Sequence, residues 1–386
     1  MTNTAQAFVG ADIFDGTALH TNRALVLDGG KVAGVLPLGD IPETAARVAI
    51  DGGTLAPGFV DIQVNGGGGI LFNDAPSLDT LRAMAKAHAR LGATSILPTL
   101  ITDTPAHVRA AVEAVEQAVA EGVAGIAGLH LEGPHLSLAR KGAHDPALIR
   151  PMEDADLAFL LEAVRRLPVL KVTVAPESVT PVQMRRLADA GVLLALGHSD
   201  ASHADCVTAA ENGVRCVTHL FNAMSQLTNR EPGLVGAALD QAGLSAGLIA
   251  DLIHVHPATL ASALRAKRGP GRMYLVSDAM ATAGSEITHF TLNGRRINRQ
   301  DGRLTLEDGT LAGADLDLAT AVRNVVRVTG LPLSQVLAMA TSVPATLIGQ
   351  QTSLGHLRPG ARADLVHLDT TGALCGVWQG GARVAL

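Results

Sequence analysis

Little in this chain is aromatic, sulfur-bearing or basic, and each scarcity removes a class of function. Phe, Trp and Tyr make up 2% of the 386 residues, too few for the stacking platforms that hold single-stranded nucleic acid. Thirty Lys and Arg face 36 Asp and Glu, a formal net charge of -6, so the basic face of a phosphate-backbone binder is not expected. Any anionic ligand must then be held by a few local cations or backbone N–H groups. The three cysteines, Cys206, Cys216 and Cys375, lack C-x-x-C spacing and indicate neither a disulfide framework nor a thiolate zinc site. The opening MTNTAQAFVGADIF has no basic region followed by an apolar run, so no signal peptide is expected. Val328 to Leu357 carries no Asp, Glu, Lys or Arg, yet Gly330, Pro332 and Pro344 interrupt it. It reads as buried helices rather than a membrane span. The cytosol is the expected compartment.

What is abundant is aliphatic. Hydrophobic residues reach 47%, enough for a large core, and from about residue 57 they fall into strand-like runs alternating with helical ones. GFVDIQV, ATSILPTLI, VAGIAGLHLEG, LKVTVAPE, VLLALGHS, VRCVTHLF, SAGLIADLIHV and MYLVSDAM are dense in Val, Ile, Leu and Ala, as parallel strands buried on both faces require. A helix starts at Ser77, a good N-cap, and ends near Gly92; a second, PAHVRAAVEAVEQAVAEG, closes at Gly122. Eight strand–helix units over about 250 residues suit a (β/α)8 TIM-type barrel, with a doubly wound sheet as the rival. The expected division is a barrel over residues 57–354 and a small β-sandwich domain built from both chain ends, 1–56 and 355–386. Residues 286–312 read as a β-hairpin excursion with DG dipeptides at its turns.

Reactive side chains gather at the strand ends. Gln63 and Asn65 close the first strand, Glu132 the third, Glu177 the fourth, His198 the fifth, His219 the sixth, His254 the seventh and Asp278 the eighth. In a barrel all of these converge on the C-terminal rim, where barrel enzymes keep their sites. Glu132, His198 and His219 are the one-carboxylate, two-imidazole set of catalytic zinc sites that leave a fourth position to water, and such an ion lowers that water's pKa to about 7. Each histidine taken alone could simply hydrogen-bond in a loop; together they favour a metal. Asp278 could act as general base and acid, or be a turn aspartate. Glu177 reads as ordering the rim. His135, on a loop past the third strand, is expected to face solvent, and His256, before Pro257, to start a helix.

These residues lie within longer segments: PGFVDIQVNGGGG, HLEGPHL with KGAHDP, GHSDA, THLFNAM with NREPG, GLIADLIHVHP, LVSDAMATAG and LRPGARADLV. With them the chain resembles, nearly end to end, the N-acetylglucosamine-6-phosphate deacetylases of the amidohydrolase superfamily. The resemblance implies one divalent metal per subunit on Glu132, His198 and His219, zinc first, with iron, cobalt or manganese as alternatives. It implies Asp278 as catalytic acid and base, and His144 as a second catalytic group. It also implies substrate contacts from Ala143, His144, Asn222, Ala223, His254, Leu311, Ala312, Gly313 and Gln63. Arg230 would reach the phosphate across a homodimer interface.

Most amidohydrolases carry HxH where this chain has Gln63 and Asn65. Neutral amides are poor zinc ligands, so the first metal position is expected to be empty and the amides left to water or substrate. The glycines after them read as close-approach backbone, not a phosphate cradle. The expected reaction is hydrolysis of the acetamide of N-acetyl-D-glucosamine 6-phosphate. The galactosamine epimer, another amide, or a non-catalytic sugar-phosphate binding role are the alternatives, and neither nucleic acid nor membrane is an expected partner.

Overall fold

The computed structural model describes residues 5–386; residues 1–4 of the expected small domain lie outside the described residues. Eight parallel strands form one sheet: β1 (Phe59–Val64), β2 (Ala93–Ile101), β3 (Leu129–Glu132), β4 (Leu170–Val174), β5 (Leu193–Leu196), β6 (Cys216–Val217), β7 (Ser245–Leu248) and β8 (Met273–Leu275). Each falls inside one of the eight runs expected from sequence. β1 and β2 are buried at every position, the pattern of strands covered on both faces. The ladder is continuous from β1 to β8. It closes between β8 and β1 through a Val64–Ala279 bridge and the bond from Asp278 N–H to the Gln63 carbonyl (3.1 Å). The buried Asp61 carboxylate stitches the same seam, accepting the backbone N–H groups of Ser277 and Gln63. Burial pushes its pKa up to about 7, against the pull of those bonds.

Helices follow the strands, and their starts obey side-chain chemistry. Ser77 and Thr104 accept N–H groups of the first turns of Leu78–Arg90 and Pro105–Ala120, satisfying donors that the helix itself leaves free. Gly92 and Gly122, at φ +89° and +68°, end them as expected. The uncharged stretch near the C-terminus forms parts of three helices, Leu318–Thr329, Leu333–Ala340 and Ser342–Leu347. Among the described residues no helix is long and apolar enough to cross a membrane.

The barrel interior is polar at two levels. Fully buried Lys171 donates to the Ile62 carbonyl (3.3 Å), and burial pulls its pKa down. Nearer the rim, Thr99, His130, Thr173 and Thr218 form a chain of side-chain hydrogen bonds of 3.1, 2.8 and 2.7 Å. Such a closed network leaves few alternative packings and gives the rim a rigid base.

The chain ends form two further sheets, one wholly N-terminal and one shared by both ends. One holds Gln6–Val9, Arg23–Asp28, Lys31–Pro37 and Ala46–Ala49; the other pairs Leu365–Leu368 with Thr54–Pro57 and includes Asp12–Phe14 and Leu374–Gln379. Phe8, Ile13, Leu25, Leu55, Leu365 and Trp378 pack between them, a sandwich of N- and C-terminal material. Residues 289–314 form not a single hairpin but a four-stranded antiparallel sheet, His289–Leu292, Arg295–Gln300, Arg303–Thr305 and Leu311–Ala314. Asn293–Gly294 and Asp301–Gly302 both take positive φ at its tight turns, the signature of two-residue hairpin loops.

Phe8 and Trp378 meet edge to face with centroids 5.2 Å apart, tying the two termini together. Phe8→Ala is expected to lower stability by about 3–5 kcal/mol, read in a urea titration by the fluorescence of Trp378, the single tryptophan. A loss below about 1 kcal/mol would show that this contact does not hold the sandwich.

Candidate metal centre and its cavity

The C-terminal ends of the barrel strands open into a cavity of about 550 Å³, within the usual range for small-molecule sites. Glu132, His198 and His219 stand at its floor, each at most 5% exposed. Glu132 Oε1 lies 3.3 Å from His198 Nε2 and 3.1 Å from His219 Nε2, and the two nitrogens are 3.1 Å apart. A tetrahedral ion with bonds of about 2.0–2.1 Å needs ligand atoms about 3.3 Å apart. The triangle fits one face of that tetrahedron, and it is the one cluster of three such ligands among the described residues. His198 Nδ1 donates to the Arg140 carbonyl (2.9 Å), which turns the lone pair of Nε2 towards the centre. Burial favours a neutral Glu132, yet the hydrogen bonds and charges of both histidines hold its pKa well below the carboxylate range.

Asp278 joins them from the end of β8. Asn65 Nδ2 donates to its Oδ1 at 2.7 Å and Gln63 Nε2 at 3.1 Å, while Gln63 Nε2 also lies 3.4 Å from both Glu132 oxygens. Both amides thus turn their N–H groups to carboxylates; Asn65 still lines the cavity, whereas Gln63 does not. Gln63 is fully buried beneath the cavity, and its N–H groups face carboxylates; turned over, each amide would set oxygen against oxygen. Burial and the nearby Glu132 charge push the Asp278 pKa up, while Asn65 pulls it down. The first two of the four following glycines are close-approach backbone, while Gly68 and Gly69 instead take positive φ. A Cβ on Gly66 would sit 2.5 Å from the Ile70 carbonyl oxygen, and one on Gly67 2.8 Å from His88 Nε2.

The walls carry most of the other expected residues. Ala143, His144, Asn222, Ala223, His254, Leu311, Ala312 and Gly313 all line the cavity. The His144 ring packs 4.3 Å from that of His198, and burial with the adjacent histidines drives its pKa well down. His254 Nδ1 is 2.6 Å from Asp251 Oδ2. Asn222 Nδ2 donates to the His219 and Leu220 carbonyls, shaping its own loop. Arg230 is exposed in the loop before helix Gly233–Asp240 and lines no wall of this cavity. Glu177 orders the rim as expected, accepting from Ser199 Oγ and Asp200 N–H, and His256 caps helix Pro257–Ala266. His135 is not solvent-facing: it is 3% exposed and 3.1 Å from the Arg150 carbonyl, because the loop after β3 folds back over the barrel end.

Three residues carry roles that the sequence reading passed over. Asp251 sets the His254 ring, and a carboxylate three residues before a strand-end histidine was a readable signal. Arg140 lines the cavity, held by Asp200 at 2.8 Å. Thr102 contacts His144; nothing local in the sequence marks it.

The backbone is strained where these side chains converge. Six of the nine described non-glycine residues at positive φ are His198, His219, Phe221, Ala223, Leu252 and Asp278, all on loops beyond strand ends. Each such conformation costs about 1–3 kcal/mol, and four of the six residues, His198, His219, Ala223 and Asp278, line the cavity.

A model of the amidohydrolase family matches residues 54–382. The N-acetylgalactosamine-6-phosphate deacetylase of Shewanella sp. (strain ANA-3) is 41% identical, over 94% of this chain and 96% of that protein. The N-acetylglucosamine-6-phosphate deacetylase of Haemophilus influenzae is 32% identical over 89% of each. The crystal structure of N-acetylglucosamine-6-phosphate deacetylase from Pasteurella multocida superposes with a TM-score of 0.94 at 33% identity, over 99% of this chain and 100% of that one.

One triangle of ligands implies one ion. Elemental analysis after dialysis is expected to find one tight divalent equivalent per chain, lost in His198→Ala. Two tight equivalents would mean that the amide pair does not displace a first metal.

Proposed function

The chain belongs to the amidohydrolase family, and from that premise we propose that it hydrolyses the acetamide of N-acetyl-D-glucosamine 6-phosphate, giving glucosamine 6-phosphate and acetate. The observation that carries this reading is Asp278, a buried carboxylate pinned at one oxygen by two amides beside a ligand set for one ion. A binding protein needs no such base.

The ion, when bound, supplies a Lewis acid that acidifies water and polarises the acyl carbonyl. The donor set of two imidazoles and one carboxylate suits zinc, with iron, cobalt or manganese also compatible. The residues do the rest. Asp278 Oδ1 is held by Asn65 and Gln63, so its other oxygen is free to take the proton of the attacking water. The same carboxyl then returns that proton to the departing amine nitrogen. His144 hydrogen-bonds the acyl oxygen as negative charge grows there. His254, aligned by Asp251, contacts the sugar or its acetamide, and the Asn222–Ala223 and Leu311–Gly313 backbones complete the wall.

The phosphate needs a cation on an acidic chain. Arg230, exposed and outside its own cavity, suits a homodimer in which it reaches the neighbouring site, where its planar fork matches two phosphate oxygens. The three free cysteines, one of them exposed, suit the reducing cytosol.

A second reading has its own support: the galactosamine epimer is the substrate named for a relative at 41% identity, against 32% for the glucosamine-named relative from Haemophilus. Acetate release from both epimeric 6-phosphates decides between them, and hydrolysis of neither would overturn the proposal. Asp278→Asn is expected to keep the metal and lose about 10²- to 10⁴-fold in turnover; activity within a few-fold of wild type would remove Asp278 as base. Arg230→Ala should cost about 1.5–3 kcal/mol in kcat/KM for the phosphorylated sugar alone. Equal losses on the unphosphorylated sugar would make Arg230 structural.

A further inference from the structure

The His144 ring is held in a way that decides what it can offer. Its Nδ1 lies 3.3 Å from the backbone N–H of Thr102 in donor geometry and 2.7 Å from the Thr102 hydroxyl. A hydroxyl can turn to donate or accept, so that contact alone is silent about the ring. A backbone N–H cannot turn. It only donates, so Nδ1 must present its lone pair, and the ring hydrogen sits on Nε2. Protonation at both nitrogens would set one N–H against another.

We infer that Thr102 is a positioning residue that fixes His144 as the Nε2–H tautomer, so that the ring offers the acyl oxygen of the substrate a neutral hydrogen-bond donor. This rests on the proposed deacetylation for its purpose, though not for its geometry. Nε2 has no protein partner among the described hydrogen bonds, and His144 lines the cavity. No bond to the Nε2 hydrogen breaks in this role: the proton stays on His144, while Asp278 moves the proton of water. The arrangement keeps acid–base work and oxyanion stabilisation on separate residues.

Thr102 is itself fixed. It is 1% exposed and directly follows β2. Its single hydroxyl hydrogen goes to His144 Nδ1, so the Glu132 carbonyl 3.4 Å away is a packing neighbour and not a second acceptor. Gly133, next to the ligand Glu132, leaves room for it: a Cβ there would fall 2.2 Å from Thr102 Oγ1. The end of β2 and the turn after β3 therefore close around one hydroxyl.

Nitrogen-15 NMR of the zinc-loaded protein, labelled at histidine and assigned with His144→Gln, reads the tautomer without substrate. An unprotonated Nδ1 with a protonated Nε2 is the expected result; the reverse tautomer, or an imidazolium at neutral pH, overturns the inference. Thr102→Val keeps the backbone N–H and removes the hydroxyl that holds the ring in register. It should lower kcat about 10- to 100-fold with little change in KM, at unchanged zinc content, and Thr102→Ser should restore most of it. Unchanged kcat in the valine variant, or no recovery with serine, counts against the positioning role. If the valine variant fails to fold, a serine variant near wild-type turnover and the NMR tautomer still decide. If neither sugar phosphate is hydrolysed, the proposed function fails while the tautomer is judged by NMR alone.

Discussion

A buried carboxylate cannot sit ionised at the floor of a barrel's C-terminal cavity without company, and Glu132 does sit there. Leaving such a charge unpaired costs several kcal/mol even after the protein relaxes. The rim is organised around meeting that demand. Strands β5 and β6 bring His198 and His219 within 3.1–3.3 Å of the same Glu132 oxygen, through loops that accept left-handed backbone to do so. The Arg140 carbonyl sets one imidazole, and the threonine–histidine belt below keeps the strand ends from drifting. The nearly equilateral triangle is that of a cation site, and a divalent ion completes what the histidines begin.

The amide pair changes the electrostatics of Asp278 more than its position. The carboxylate meets two neutral donors on one side and Glu132 on the other. Neutral donors orient an oxygen while stabilising its charge far less than an ion would. The result is a carboxyl pushed upward in pKa by burial and by Glu132, the direction that the proposed proton exchange calls for. Gln63 touches both carboxylates, so the placements of Glu132 and Asp278 are coupled through one side chain.

The sequence made the barrel legible because its signals are local. Eight aliphatic runs mark eight strands, N-capping side chains mark helix starts, and the ligands lie where each run stops. Asp278, Glu132, His198 and His219 were readable for that reason. What was not readable depends on partners distant in sequence. Gln63 looked available to substrate because nothing in DIQVN says that Asp278, 215 positions later, will sit against its amide. His135 looked exposed because the loop that buries it folds back only in three dimensions. Thr102 is an ordinary strand-end threonine until His144 arrives beside it. The terminal sandwich was legible from composition, yet the pairing of Leu365–Leu368 with Thr54–Pro57 joins residues from opposite ends of the chain.

The four-stranded sheet over residues 289–314 has its own apolar cluster, with Phe290, Leu292, Ile297, Leu304 and Ala312 packed on Leu71, Ile101 and Met280. Its strands are held by their own ladder and its tight turns by Asn–Gly and Asp–Gly pairs. It is a roof with independent support, and it presents Leu292 and residues 309–313 to the cavity while supplying none of the ligands. A change in a roof turn therefore reshapes one wall of the cavity without displacing Glu132, His198 or His219.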